Sequence, residues 1–105
     1  LSDAINSLRV QTNQNFELIV QDCKSNDGTT EMFEQIDWCH VNFVSEYDCG
    51  IGDAWQRALS RAQGNIVSSL DADNLFCSDA IQTMVDTFAN DELSAAAYGA
   101  CNIID

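Results

Sequence analysis

Asp71-Ala72-Asp73 places two carboxylates one residue apart, directly after the apolar run Ile66 to Leu70. Carboxylates held at a strand end are hard oxygen ligands, suited to Mg²⁺ or Mn²⁺. The pattern repeats upstream: Asp22 follows the apolar run that starts at Phe16, and Glu46 and Asp48 follow the one that starts at Val41. In open parallel α/β sheets, ligands bind outside the carboxyl ends of the strands, so three acidic strand exits would share one rim. Asp is also an ordinary turn former and helix cap, which accounts for any one exit but poorly for all three together. With 17 acidic against 4 basic side chains, the formal net charge is −13. Such a chain repels a nucleotide diphosphate unless a divalent cation bridges the two. Charge balance and D-x-D spacing agree on a metal-dependent phosphate ligand.

Other residue groups are weaker pointers. Ser25-Asn26-Asp27-Gly28-Thr29 reads as an Asx-turn leading into a helix start. No G-x-x-x-x-G-K-[ST] loop and no G-x-G-x-x-G fingerprint occurs. Gly50-Ile51-Gly52-Asp53 would let backbone approach a ligand closely, and a turn needing positive φ explains it equally well. His40, the only histidine, stands beside Trp38 and Cys39 at a helix-to-strand turn, where a structural role outweighs that of a base or metal ligand. The five cysteines form no C-x-x-C and are odd in number, which argues for reduced thiols in a cytosolic setting. They read as small buried hydrophobes, with Cys23 and Cys49 closest to the acidic rim. Trp55 falls on an apolar helical stripe and reads as core.

These residues need a scaffold of alternating strands and helices. The spacing predicts a helix up to about Gln11 with Ile5 and Leu8 inward, and a strand over Phe16 to Gln21. A helix capped by Thr29 or Thr30 should run through Ile36 with Met32, Phe33 and Ile36 on one stripe. Val41 to Ser45 reads as a second strand. Gly52 to Gln63 has helical spacing at Ala54, Trp55, Ala58, Leu59 and Ala62, closed by Gly64 at C′. Ile66 to Leu70 reads as a third strand. A helix capped by Ser78 follows, with Ala80, Ile81, Met84, Val85 and Phe88 on its apolar face, and then a fourth strand at Ala95 to Tyr98. The order predicts an α/β fold with a doubly wound, mostly parallel sheet flanked by helices. Because the chain opens inside a helix, it is expected to be a fragment without its first strand, and its open apolar edge is expected to favour self-association.

Length and composition set the outer limits. The 105 residues suit one domain, and 46% hydrophobic residues with 20% charged describe a globular chain rather than a disordered one. No apolar run approaches the roughly 18 residues of a membrane span, and no signal-peptide pattern opens the chain. Arg9, Lys24, Arg57 and Arg61 are the only permanent cations, which disfavours nucleic acid and anionic membrane surfaces as partners.

In order along nearly the whole chain, the residues resemble the family 2 glycosyltransferases of the GT-A fold. Ser7-Leu8, Gln11-Thr12 and Asn15 to Val20 are similar to that family's first helix and second strand. Asp22 with Ser25-x-Asp27-Gly28-Thr29 looks like its D-x-x-S-x-D-G-T segment, and Glu46 to Ala54 like its E-x-D-x-G-I-x-D-A stretch. Ala62-x-Gly64-x-Ile66 and Leu70 to Asp73 match the approach to its D-x-D, and Asp79-Ala80 and Tyr98-Gly99 fall where it keeps similar residues. Three departures stand out: Cys23 where many relatives have a second Asp that reads the uracil, Asn74 for a frequent third acidic residue, and Cys77-Ser78 for a common aromatic-Pro pair.

The resemblance implies that residues 1–105 form the nucleotide-sugar-binding core of a metal-dependent, inverting glycosyltransferase of polysaccharide biosynthesis. The donor is expected to be a UDP-sugar and the acceptor a glycan hydroxyl. Asp22, Asp53 and Asp71 would contact the nucleotide-sugar, and Asp73 with Asp71 would hold Mn²⁺ or Mg²⁺. The first strand and the acceptor half with its general base are expected outside these residues, so the chain alone is expected to be inactive. A cytoplasmic location, at the cytoplasmic face of a membrane in a longer protein, is the matching expectation. Two other readings stay open: a non-catalytic α/β binding or assembly module, and a receiver-like phosphoacceptor domain. The receiver class needs a lysine after a late strand, and the only lysine here is Lys24.

Overall fold

Six elements form in the computed structural model, which describes residues 1–103: α1 (Ser2–Arg9), β1 (Leu18–Asp22), α2 (Thr29–Glu34), β2 (Val41–Ser45), α3 (Ile51–Arg61) and α4 (Ala80–Asn90). The class is α/β, as expected. Two compact units are present: Asn15–Asn65, and Leu1–Gln14 with the segment from Ile66 onward. Among the described residues no helix is long and apolar enough to cross a membrane.

In the Asn15–Asn65 unit, β1 and β2 pair in parallel, with Leu18 opposite Val41 and Asp22 opposite Ser45. Parallel neighbours need a crossover, and α2 lies within it. Phe33 of α2 is buried and stacks on Phe43 of β2 with ring centroids 4.6 Å apart. A stacked aromatic pair contributes about 0.5–1.5 kcal/mol beyond its area. The expected Thr29 or Thr30 cap is corrected: the N-cap is Gly28 at φ +91°, a left-handed conformation that costs a side-chain-bearing residue. Thr29 is the first helical residue, and its N–H and hydroxyl both donate to Asp27 Oδ1, at 3.2 and 2.6 Å.

Helix α3 packs on β1. The face it turns inward carries Ala54, Arg57, Ala58 and Arg61, all half-buried, because small residues allow close approach to the strand and Arg61 reaches its polar groups. The expectation that Trp55 is core is therefore corrected: it is 45% exposed on an outward stripe with Ile51 and Leu59. Gly64 does not close the helix. Ala62 is already extended, and Glu17 Oε1 accepts the Gln63 and Gly64 N–H groups at 2.6 and 3.1 Å.

In the other unit, α1 buries Ala4, Ile5 and Leu8. Asp3 in its first turn and Arg9 in its last oppose the helix dipole. On α4, Ala80, Ile81, Met84 and Phe88 are half-buried, as the periodicity predicts, while Val85 is exposed. Its N-cap is Asp79 rather than Ser78, whose carbonyl instead accepts Thr12 N–H at 2.8 Å. Neither Ile66 to Leu70 nor Ala95 to Tyr98 forms a strand. A strand needs a paired neighbour as well as β-propensity, and no described residue pairs with either segment. The cysteines are also corrected. All five are free and exposed, each on a connecting segment rather than in a core.

Candidate functional site

The carboxyl ends of β1 and β2 position the first group. Asp22 ends β1 and is only 7% exposed. Ser45, its register partner, donates its hydroxyl to Asp22 Oδ2 at 2.6 Å. Ser25 donates its N–H to the same oxygen at 3.1 Å and its hydroxyl to Oδ1. Burial pushes this carboxyl up. The hydroxyls of Ser25 and Ser45, the Ser25 N–H and the charge of Lys24 outweigh it, so the group sits below the ordinary carboxylate range. Asp22 is held ionised, as an acceptor only.

Beside that exit lies a bridge of charges. Asp53, in the first turn of α3, accepts Cys49 N–H at 2.9 Å and Arg57 Nε at 3.0 Å, both on Oδ2. Arg57 Nη1 also meets Glu46 Oε1 at 3.0 Å, and that oxygen accepts Gln21 Nε2 at 3.3 Å. Arg61 continues the line, donating to Gln21 Oε1 at 2.7 Å and to Val20 O at 3.3 Å. The Arg57 guanidinium, with the Cys49 N–H at Asp53 and Gln21 at Glu46, holds both carboxyls below their usual range. The two carboxylates in turn drive Arg57 upward. Asp48 Oδ1 accepts Gly50 N–H at 3.0 Å, a turn-closing role.

Asp71 and Asp73 lie in the other compact unit, both exposed, on a turn closed by Asn74 N–H to Asp71 O at 3.0 Å. Asn74 Nδ2 reaches Asp71 Oδ2 at 3.3 Å. Among the described residues no three His, Cys, Asp or Glu side chains gather to hold a cation. The donor set at this turn still suits one: Mg²⁺ is typically bound through one or two carboxylates, with waters and phosphate oxygens completing its shell. Asp71 and Asp73 are such a pair.

His40 sits at the opposite end of the strand pair from Asp22 and Ser45, as the topology predicts. Its carbonyl accepts Leu18 N–H at 2.7 Å, and its Nδ1 lies 2.7 Å from Phe16 O. It stacks on Phe16 at 5.2 Å with Trp38 edge-on at 5.4 Å. Sequence reasoning missed Arg57 and Arg61 as members of the site, although the i, i+4 spacing from Asp53 through Arg57 to Arg61 was readable. It also missed Ser45, which only strand register places opposite Asp22.

Over residues 1–103 the sequence matches the profile of Glycosyl transferase family 2. Over 90 residues it is 30% identical to TuaG of Bacillus subtilis, a glycosyltransferase named for teichuronic acid biosynthesis, spanning 82% of this chain and 35% of that protein. It is 30% identical over 97 residues to chondroitin synthase of Escherichia coli, with 90% of this chain and 14% of that one covered. To the UDP-Glc:alpha-D-GlcNAc-diphosphoundecaprenol beta-1,3-glucosyltransferase WfgD of Escherichia coli it is 29% identical over 106 residues, covering 100% and 42%. The chain thus spans less than half the length of each of these relatives. No solved structure matches.

Proposed function

The chain belongs to glycosyltransferase family 2, and from that membership we propose that its residues bind the nucleoside diphosphate end of a UDP-sugar for inverting transfer to a glycan hydroxyl. The observation that carries this reading is the family match over residues 1–103, together with acidic side chains at the exits of both paired strands. One relative is named for teichuronic acid biosynthesis, one as a chondroitin synthase, and one for a UDP-Glc donor. Asp22 is assigned to the base and ribose. Its ionised carboxylate accepts from donor N–H or O–H groups, and Oδ1 takes one hydrogen bond in the structure where Oδ2 takes two. Asp53 is assigned to the nucleotide, with Arg57 fixing its orientation through Oδ2.

Asp71 and Asp73 would hold Mn²⁺ or Mg²⁺, with Asp71 also reaching the nucleotide-sugar, and the ion when bound would offset charge on the departing diphosphate. Transfer is then a single displacement. The acceptor oxygen gives up its proton and bonds to the anomeric carbon from the face opposite the departing diphosphate, the carbon–oxygen bond to that diphosphate breaks, and configuration inverts. The residues described here bind and orient the donor; none is assigned as the base that takes the acceptor's proton. Calorimetry of UDP with the full-length protein, with Mn²⁺ and with EDTA, tests the reading. Mn²⁺ should tighten UDP binding, and equal affinity in both conditions removes the metal-bridged assignment.

A further inference from the structure

We propose that Gln11 is a positioning residue for Asp71 and Asp73, acting through the segment that follows them; the proposal rests on the donor-site reading of those two carboxylates. Gln11 is a buried polar residue, 4% exposed, and both ends of its amide are engaged. Nε2 donates to Ser7 O at 2.9 Å and to Cys77 O at 2.6 Å, while Oε1 accepts Ile81 N–H at 3.1 Å. Each partner has a reason to need it. Ser7 O is in the last turn of α1, where carbonyls lack intrahelical partners, and Ile81 N–H is in the first turn of α4, where amides lack them. Asp79, the N-cap of α4, makes no side-chain cap hydrogen bond, so Gln11 takes over that task from 70 residues away in sequence. One amide therefore ends one helix, starts another and fixes Cys77.

The neighbours tighten the same joint. Phe76 N–H donates to Ser7 Oγ at 3.2 Å, Thr12 N–H to Ser78 O at 2.8 Å, and Asn13 Nδ2 to Gln82 Oε1 at 3.0 Å. Upstream, the Asp71 turn is closed by Asn74. Leu75 alone separates this turn from the pinned segment that begins at Phe76. The chain is thus pinned to α1 from Phe76 onward, three residues after Asp73, and Gln11 is the buried centre of the joint. Groups that orient metal ligands without touching the metal typically change affinity by about 10–100-fold when removed.

The test uses the full-length protein with UDP and Mn²⁺ as probes, reading the Mn²⁺ concentration that gives half-maximal UDP binding. Gln11→Met keeps the shape and removes all the hydrogen bonds. Gln11→Glu keeps the acceptor for Ile81 but sets a carboxylate against two carbonyls. Ser7→Ala removes only the hydroxyl that meets Phe76, and provides a mild variant if the Gln11 variants fold poorly. Both Gln11 variants should raise the half-point about tenfold, and Ser7→Ala should raise it less. Ile5→Val, a core change in α1 that lowers thermal stability without touching these bonds, should leave it unmoved.

A half-point unchanged in the Gln11 variants, in a protein whose Mn²⁺ response Asp73→Ala abolishes, overturns the proposal. If Asp73→Ala leaves the Mn²⁺ response intact, the reading of the carboxylates has failed instead. Amide exchange then decides the clamp: deprotection confined to residues 71–82 in the Gln11 variants sustains it, and uniform or absent change overturns it.

Discussion

Ser45 donates its hydroxyl to Asp22 Oδ2 at 2.6 Å from the register position directly opposite on the neighbouring strand. The bond links the exits of β1 and β2 and helps hold a nearly buried carboxylate in its charged form. Removing it by Ser45→Ala leaves that charge with fewer donors, at a cost on the order of 1–3 kcal/mol near neutral pH. The pH dependence follows from the direction of the shift. Asp22 titrates lower in the folded chain than in the unfolded one, so its contribution is present above the ordinary value of 3.8 and fades as pH falls through the lower folded value. Urea titrations of both proteins should therefore show a gap at pH 7 that narrows below about pH 4. A gap that is constant with pH would mean the hydroxyl acts through packing rather than charge.

Arg57 bridges Asp53 and Glu46, two carboxylates from different segments, with different nitrogens of one guanidinium. Lysine carries the charge but not the fork, so Arg57→Lys should preserve one contact at most. In Arg57→Ala both carboxyl titrations should move up toward ordinary values, and in Arg57→Lys only one of them should stay low. Carboxyl-carbon NMR across an acid titration reads this directly. Because the pairs are solvent-accessible, the effect should shrink in high salt. Unmoved titrations in Arg57→Ala would assign the low values to the Cys49 and Gln21 donors alone.

Gly28 and Gly52 make a matched pair with opposite expectations. A Cβ at either would meet nothing within 4 Å, so space does not decide the outcome. Gly28 caps α2 at φ +91°, and Gly28→Ala should cost about 1–2 kcal/mol for the left-handed backbone. Gly52 lies in the first turn of α3 with no positive φ, and Gly52→Ala should stabilise by about 0.4–1 kcal/mol by narrowing the unfolded ensemble. Urea midpoints moving in the same direction for both would contradict the assigned backbone conformations.

The contrast between β2 and the Ile66 run shows what single-sequence reading can reach. Val41 to Ser45 forms the expected strand because its partner β1 is close in sequence and the crossover helix between them is well patterned. The Ile66 run has comparable β-propensity, but pairing depends on a distant neighbour that local pattern does not encode. Caps failed for a related reason. Serine and threonine near a helix start invite an N-cap assignment, yet α4 is capped from Gln11, which no local signature marks. Asp22 and Glu46 were legible because strand exits concentrate acidic residues, whereas their cationic and hydroxyl partners were not. Trp55 was misjudged because an apolar stripe fixes the amphipathic axis of a helix but not which side of it meets the sheet.

Asp22 and Asp73 are assigned different tasks, and paired substitutions separate them. Asp22→Asn keeps the shape but turns an ionised acceptor into an amide with one acceptor oxygen, so contacts to the base and ribose should weaken. Hydrogen bonds to charged groups are each worth about 1.5–3 kcal/mol, so UDP affinity should fall by on the order of tenfold or more. That loss should be equal with Mn²⁺ and with EDTA, because Asp22 is given no part in holding the ion. Asp73→Asn should behave in the opposite way, leaving UDP affinity in EDTA unchanged and erasing most of the gain that Mn²⁺ brings. Asp73 is exposed on its turn, which makes a folding defect a poor explanation for that outcome. Calorimetry of both variants in both conditions fills the four cells. If Asp73→Asn weakens UDP equally with and without Mn²⁺, Asp73 contacts the nucleotide itself. If Asp22→Asn loses only the Mn²⁺-dependent part, the cation lies at the β1 exit and the D-x-D assignment is misplaced.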